Sequence, residues 1–156
     1  MASSSSRSSR RIPEVSHRET TAAAPAAIWA WYADVDRWRR WDGGVTAVEL
    51  DGPFASGTRG RVTLPNGRRG RLRLLDVRAG EAFTDVVKLP LLKVSTRHEL
   101  TGVGLGTEIT HTVRLGGMLA MFFPRLMTIP IRRALPASVA QLAFLAAHES
   151  VPGLTA

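Results

Sequence analysis

Two histidines and one aspartate set out the chemistry available to this chain. His98 lies in the segment Leu92–Leu100 and His111 in Thr107–Leu115, and each alternates with apolar residues. Residues two apart on a strand share a face, so His98 falls with Leu92, Val94, Thr96 and Leu100, and His111 with Ile109, Val113 and Leu115. Gly104-Leu105, read as a two-residue turn with glycine first, joins the segments in the register that turns both apolar faces inward, and it sets His98 opposite His111. A tight turn at Pro90-Leu91 carries the register into Phe83–Leu89, where Phe83, Asp85, Val87 and Leu89 share the inner face. Asp85 then stands opposite Thr96 and diagonal to His98, about 7–8 Å away, which side chains can span. A carboxylate beside an imidazole fixes its tautomer, and imidazoles exchange protons near neutral pH. The cluster Asp85, Thr96, His98 and His111 therefore suits acid–base work or the orientation of a polar ligand group. The same residues can equally be buried polar groups that satisfy one another.

Other chemistries lack their residues. The chain has no cysteine, which excludes a disulfide framework, a thiol nucleophile and thiolate-ligated zinc or iron–sulfur sites. No GxSxG, HExxH or P-loop pattern occurs. Gly102–Gly106 looks like part of a dinucleotide loop, yet it lies between two strands with no helix after it, so it reads as a hairpin turn. His148-Glu149 closes a helix with no second histidine one turn away; neither a metal nor a cofactor is expected.

The elements that position the cluster follow from the punctuation of the 156 residues, 44% of them hydrophobic and enough for a packed core. Residues 1–12 are serine and arginine with almost no apolar content and read as a disordered tail. Residues 13–150 read as one domain, and 151–156 as a frayed end. Glu14–Ala22 reads as a strand. Pro25 opens a helix through Asp34 with Ile28, Trp29 and Tyr32 on its apolar stripe. Asp36–Trp41 reads as a second short helix, capped by Asp36, with Trp38 and Trp41 on one face. Six β segments follow: Val45–Leu50, Arg59–Leu64, Arg69–Val77, Phe83–Leu89, Leu92–Leu100 and Thr107–Leu115, each ended by glycine- or proline-bearing turns. Met118–Glu149 is helical, with Leu135, Val139, Leu142 and Ala146 as one stripe, and Pro124, Pro130 and Pro136 imply breaks or kinks in its first half. This order is an α+β layout. A seven-stranded curved antiparallel sheet around one long helix encloses more space than the strands' own side chains fill, which predicts a ligand cavity. Its expected lining is Phe83, Val87, Val94, Thr96, His98, His111 and Val113 from the sheet, with Phe122, Leu126 and Leu142 from the helix.

The order and its motifs resemble the START-related SRPBCC superfamily with the helix-grip fold, in the polyketide cyclase/dehydrase and lipid-transport branch. The residues that carry the resemblance are Ala24-Pro25-Ala26-Ala27-Ile28-Trp29, then Asp36-Arg37-Trp38-Arg39-Arg40-Trp41-Asp42, Leu50-Asp51-Gly52 with Gly57, Gly106-Thr107-Glu108-Ile109-Thr110-His111, and Gly116-Gly117. The resemblance covers residues 14–149. It implies the helix-grip fold and a cavity for an apolar small molecule such as a lipid, quinone or polyketide. That family contains both binders and polyketide cyclases, so two functions stay open: binding alone, or a cyclase/dehydratase in which His98, His111 and Asp85 act as acid–base groups.

Charge adds a third possibility. Lys+Arg number 21 against 13 Asp+Glu, a net +8, which favours anionic partners. A three-residue loop Asn66-Gly67-Arg68 would align Val62 with Leu72 and Gly60 with Leu74, turning Arg59, Arg61, Arg69, Arg71 and Arg73 outward together. Such a face is either solvated surface or a docking patch for an acidic protein, such as an acyl carrier protein, or for an anionic membrane. It lacks the interleaved aromatics of single-stranded nucleic-acid binders, so no specific nucleic-acid partner is expected. The first residues carry no apolar signal segment, and the apolar stretch 115–145 is interrupted well short of the roughly 18 clean residues a span needs. A cytoplasmic location is expected.

Overall fold

The computed structural model describes residues 11–153. Residues 1–10 of the expected tail and 154–156 of the expected frayed end lie outside the described residues. Seven antiparallel strands form one sheet: β1 (Glu14–Thr21), β2 (Ala47–Leu50), β3 (Arg59–Thr63), β4 (Arg69–Arg78), β5 (Ala82–Leu89), β6 (Leu92–Val103) and β7 (Gly106–Gly116), in the order β1-β7-β6-β5-β4-β3-β2. β1 and β2 occupy opposite edges, so the segment between them must travel from one edge to the other. That segment is α1 (Pro25–Ala33), a 3-10 turn (Val35–Arg37) and α2 (Trp38–Trp41). Past β7 come α3 (Met118–Phe122) and α4 (Pro124–His148), and α4 packs against β1, β7, α1 and α2. The chain has the helix-grip architecture: a curved sheet closed on one long helix.

Local sequence explains each junction. Pro25 sits at the first turn of α1, where its fixed φ is already helical and its missing N–H costs nothing. Ile28, Trp31 and Tyr32 of that helix are fully buried. The guanidinium groups of Arg37 and Arg40 lie 5.6 and 5.2 Å from the Trp31 ring, and Arg40 continues to Glu149 at 2.8 Å, which ties α2 to the end of α4. Asp36 does not cap α2 as expected. It falls inside the 3-10 turn, and the nearby ion pair is Arg37 with Asp34 at 2.8 Å. The turn between β6 and β7 is Gly104-Leu105 with φ +56° at the glycine, so the Gly102–Gly106 run is a hairpin. The β5–β6 turn is Pro90-Leu91, as the register required.

Two further expectations need correction. The β3–β4 hairpin pairs Val62 with Gly70 and Gly60 with Leu72, two residues away from the expected alignment. Its loop is Pro65-Asn66-Gly67, closed by the Leu64 N–H donating to the Arg68 carbonyl at 2.8 Å. Pro65 presets the φ of the turn's second position and Gly67, at φ +81°, takes the left-handed one, so this turn outcompetes Asn66-Gly67-Arg68. A shift of two preserves facing, and the arginines still point outward. The second correction concerns prolines: the helix breaks once, before Pro124, while Pro130 and Pro136 lie inside an unbroken α4. The carbonyls that lose an N–H partner belong to Leu126 and Arg132, on exposed turns where water can serve. Among the described residues no helix is long and apolar enough to cross a membrane.

Candidate functional site

A cavity of about 440 Å³ lies between the sheet and α4. Val62, Val87, Val94 and Val113 form its sheet wall, and Met127, Pro130, Ile131, Ala134 and Leu135 its helix wall. Trp38, Trp41, Asp42, Asp85, Thr96, His98 and His111 make the remaining end. This end is deep: Trp38, Trp41, Asp85, His98 and His111 are buried, whereas Pro130 and Ala134 across the cavity are exposed and mark its mouth.

The polar end is one hydrogen-bonded chain. Asp85 pairs with Thr96 across β5–β6, and His98 with His111 across β6–β7. Asp85 Oδ2 is 2.6 Å from His98 Nε2, and His98 Nδ1 is 3.1 Å from His111 Nε2. The Tyr32 hydroxyl reaches the same His111 Nε2 at 2.8 Å. Aromatic rings enclose the chain: Phe83 stacks on His98 at 4.2 Å with 8° between planes, and Trp41 meets His111 edge-on at 5.8 Å.

Burial sets the protonation states. Desolvation pushes Asp85 up to about 7 and His98 down to about 3, with Arg97 adding to the latter. Burial also drives His111 well below the usual imidazole range, helped by His98 and His17, and holds Tyr32 well above the usual phenol range. Asp42 rises to about 6, chiefly through burial, opposed by the Gly44 N–H that donates to its Oδ1 at 2.8 Å and reinforced by the Asp85 charge. Between about pH 4 and 6.5 the Asp85–His98 pair is therefore neutral overall and holds one acidic proton. A ring nitrogen either donates or accepts, so the chain has two arrangements. With Asp85 protonated, hydrogen bonds run from Asp85 to His98 to His111, and Tyr32 donates to the same acceptor. Removing one proton reverses the direction: His111 Nε2–H donates to His98, and His98 Nε2–H donates to the Asp85 carboxylate.

The structure brings together most of the sequence-predicted site and leaves some out. Val87, Val94, Thr96, His98, His111 and Val113 line the cavity, and Asp85 joins them. Phe83 is fully buried behind His98, where it supports the ring and does not form the wall. Leu142 is fully buried in the part of α4 that packs solidly on the sheet, beyond the cavity. Phe122 and Leu126, 60% and 63% exposed, lie on the outside, because Met127, Pro130, Ile131 and Ala134 supply the inward flank of α4. Sequence reasoning missed the role of Tyr32, read as part of an apolar stripe, and of Asp42. The available signal for Tyr32 was that a buried tyrosine hydroxyl needs a partner. Trp31 and Trp41 have buried indole N–H groups without an acceptor.

On the outer face of the sheet, Arg59, Arg61, Arg69, Arg71 and Arg73 are exposed, with Arg59 opposite Arg73 and Arg61 opposite Arg71. Lys88 of β5 adjoins Arg71, and Glu49 approaches Arg61 at 3.5 Å.

Curved sheet, gripping helix and the cavity between them define a domain of the helix-grip class. The sequence pattern of the family described as polyketide cyclase / dehydrase and lipid transport matches residues 13–146, and the chain belongs to that family. No curated protein matches the chain. Among solved structures, the fold is similar to Ara h 8.0201 at TM-score 0.69 and 15% identity, covering 87% of this chain and 98% of that one. It is similar to protein MLL2253 from Mesorhizobium loti at TM-score 0.69 and 17% identity, covering 85% and 95%. It is similar also to the di-domain ARO/CYC StfQ from the steffimycin biosynthetic pathway at TM-score 0.67 and 14% identity, covering 89% of this chain and 50% of that one.

Proposed function

We propose that the protein binds an apolar small molecule of lipid, quinone or polyketide type in the cavity between the sheet and α4, with one polar group of the ligand directed at the His98–His111 end. The observation that carries this reading is the cavity itself: about 440 Å³ of space with mainly apolar walls, Ser138 being the polar residue of the helix side, and with the titratable groups Asp85, His98 and His111 gathered in one hydrogen-bonded chain. That volume lies within the roughly 300–1,000 Å³ typical of ligand sites, and a few placed polar groups fix orientation in an otherwise apolar pocket. Native mass spectrometry of the protein purified from its own cell tests it. A retained small molecule in one-to-one ratio is expected. No retained mass, together with no uptake of a neutral naphthylamine probe, would refute the reading.

A second reading is favoured by the Asp85–His98–His111–Tyr32 chain: acid–base catalysis of cyclisation or dehydration on a polyketide-like substrate. A carboxyl group with its pKa near 7 can supply or store a proton at neutral pH, and the imidazoles, held neutral by burial, can relay it along the hydrogen-bonded chain. Under this reading His98→Ala and His111→Ala each abolish turnover of a polyketide-like substrate while the domain stays folded. Under binding alone they alter affinity and there is no turnover to lose. The outer arginine face supports a separate interaction with an acidic protein, by charge.

A further inference from the structure

Beside the stretches that line the cavity, Leu89–Leu92 and Met127–Ile131, are apolar side chains that the fold does not bury. Met121, Phe122 and Phe123 at the α3–α4 junction, Leu126 and Ile129 on α4, and Leu91 at the β5–β6 turn are each 45–63% exposed. They belong to one end of the molecule. The Leu119 N–H of α3 donates to the Leu91 carbonyl at 3.0 Å, and the Phe123 carbonyl accepts from the Met127 N–H at 3.1 Å, so turn, α3 and the first turn of α4 are joined. Clusters of this kind on a monomer mark an interaction site.

The charge around the cluster identifies the partner. From Met118 to His148 the chain has three arginines and no aspartate or glutamate. Arg125, Arg132 and Arg133 are exposed, and among the described residues none of them forms an ion pair. Leu126, Ile129 and Arg133 recur at i, i+3 and i+7 on the outer stripe of α4, opposite the buried Thr128 and Leu135, with Arg125 and Arg132 on its flank. Apolar side chains framed by arginines suit the boundary between anionic headgroups and acyl chains. A second copy of the chain fits less well, because a two-fold contact would face these arginines with their own copies and no carboxylate from the segment.

We infer that the α3–α4 end docks on an anionic lipid bilayer, with Phe122, Leu126 and Ile129 entering the interface and Arg125, Arg132 and Arg133 meeting lipid phosphates. Docking sets the mouth, with Met127, Pro130 and Ile131 on its helix side, against the membrane, so the ligand passes between bilayer and cavity without crossing water. The inference deepens the binding reading and rests on it: the ligand class becomes membrane-resident lipid or lipid-like molecules.

The test is co-flotation of the full chain with phosphatidylcholine vesicles, with and without phosphatidylserine, in parallel with uptake of the neutral naphthylamine probe in vesicle-free solution. Flotation with the serine-containing vesicles is expected for wild type. Phe122→Gln combined with Leu126→Gln should weaken it by about ten-fold or more. Arg132→Ala combined with Arg133→Ala should weaken it on anionic vesicles only. Arg59→Glu combined with Arg73→Glu, on the outer face of the sheet and away from the β5–β6 turn, should leave it unchanged. Probe uptake should persist in all of them. No flotation of wild type, or flotation lost in the Arg59/Arg73 variant and kept in the Phe122/Leu126 variant, overturns the docking inference. So does a wild-type dimer that the Phe122/Leu126 variant converts to monomer without vesicles, which assigns the face to a second copy. Loss of probe uptake in wild type overturns the cavity reading instead.

Discussion

Asp85→Asn removes a proton-binding group from the buried chain while keeping a side chain of the same shape, whose amide can donate to His98 Nε2 as the protonated acid does. The magnitude follows from linkage. Asp85 has its folded pKa raised from 3.8 to about 7, so its contribution to stability is fully present below about pH 4 and is lost as pH rises through about 7. His98 behaves oppositely: with its pKa lowered from 6.5 to about 3, its contribution is present above about pH 6.5 and is lost as pH falls. Between about pH 4 and 6.5 the two slopes offset each other, and the pair binds one proton in the folded and in the unfolded chain alike. That count is the same whether the shared proton sits on the carboxyl oxygen or on the imidazole. In the Asp85→Asn variant the histidine slope is left uncompensated, and each uncompensated proton changes stability by roughly 1 kcal/mol per pH unit. The variant should therefore lose ground to wild type by roughly that amount for every unit that pH falls below about 6.5, reaching a few kcal/mol by about pH 4. Urea denaturation of both proteins at pH steps from 4 to 8, read as ΔG at constant m-value, measures it. Curves that stay parallel from pH 4 to 6.5 would show that Asp85 and His98 do not share a proton, and the reasoning about the polar chain would be wrong.

Three further outcomes are expected. Tyr32→Phe removes the hydroxyl that meets His111 and should cost about 1–2 kcal/mol in thermal or urea unfolding; a loss below a few tenths would place the hydroxyl outside the chain. Gly60→Ala would drive a Cβ into the Glu49 carbonyl of the paired strand, so it should destabilise by at least about 1–3 kcal/mol, read as a fall in Tm; an unchanged Tm would contradict the β2–β3 register. Arg69→Glu with Arg71→Glu should abolish association with an acidic carrier protein, and wild-type association should weaken steeply between about 0.1 and 1 M salt as the Debye length falls; association that ignores salt would assign the arginine face to solvated surface.

How much of this could be read in the sequence depends on the range of the interaction. The His98–His111 pairing was legible because a two-residue turn with glycine first fixes a register, and alternation in both strands admits only one parity. The Asp85–Thr96 pairing followed by the same rule through Pro90-Leu91. The β3–β4 alignment was only half legible. Parity told which arginines face out, but the loop was decided by the φ preferences of Pro65 and Gly67, which move the register by two without changing any face. Tyr32 and Phe83 were seen as apolar and placed inside, yet their contacts with His111 and His98 depend on where α1 lies over the sheet, and no local rule states that. Phe122 and Leu126 misled for the opposite reason. Hydrophobicity alone suggested the cavity, while the position of the helix break at Phe123 and the rotation of α4 decide which side faces it.

The long helix is held unevenly. From Leu135 onward it buries Leu135, Val139, Leu142, Ala143, Leu145 and Ala146, and its end is pinned through Arg40 and Glu149. Its first part buries Thr128 alone, spans a cavity where a core would be, and contains Pro130, which supplies no N–H to the turn before it. Local stability follows buried apolar contact and intact backbone bonding. Buried contact thus divides one continuous rod in two: a C-terminal half anchored in the core, and an N-terminal half over the cavity that is held by far less. Any widening of the mouth draws on that lightly held half alone and leaves the packing that secures the fold untouched.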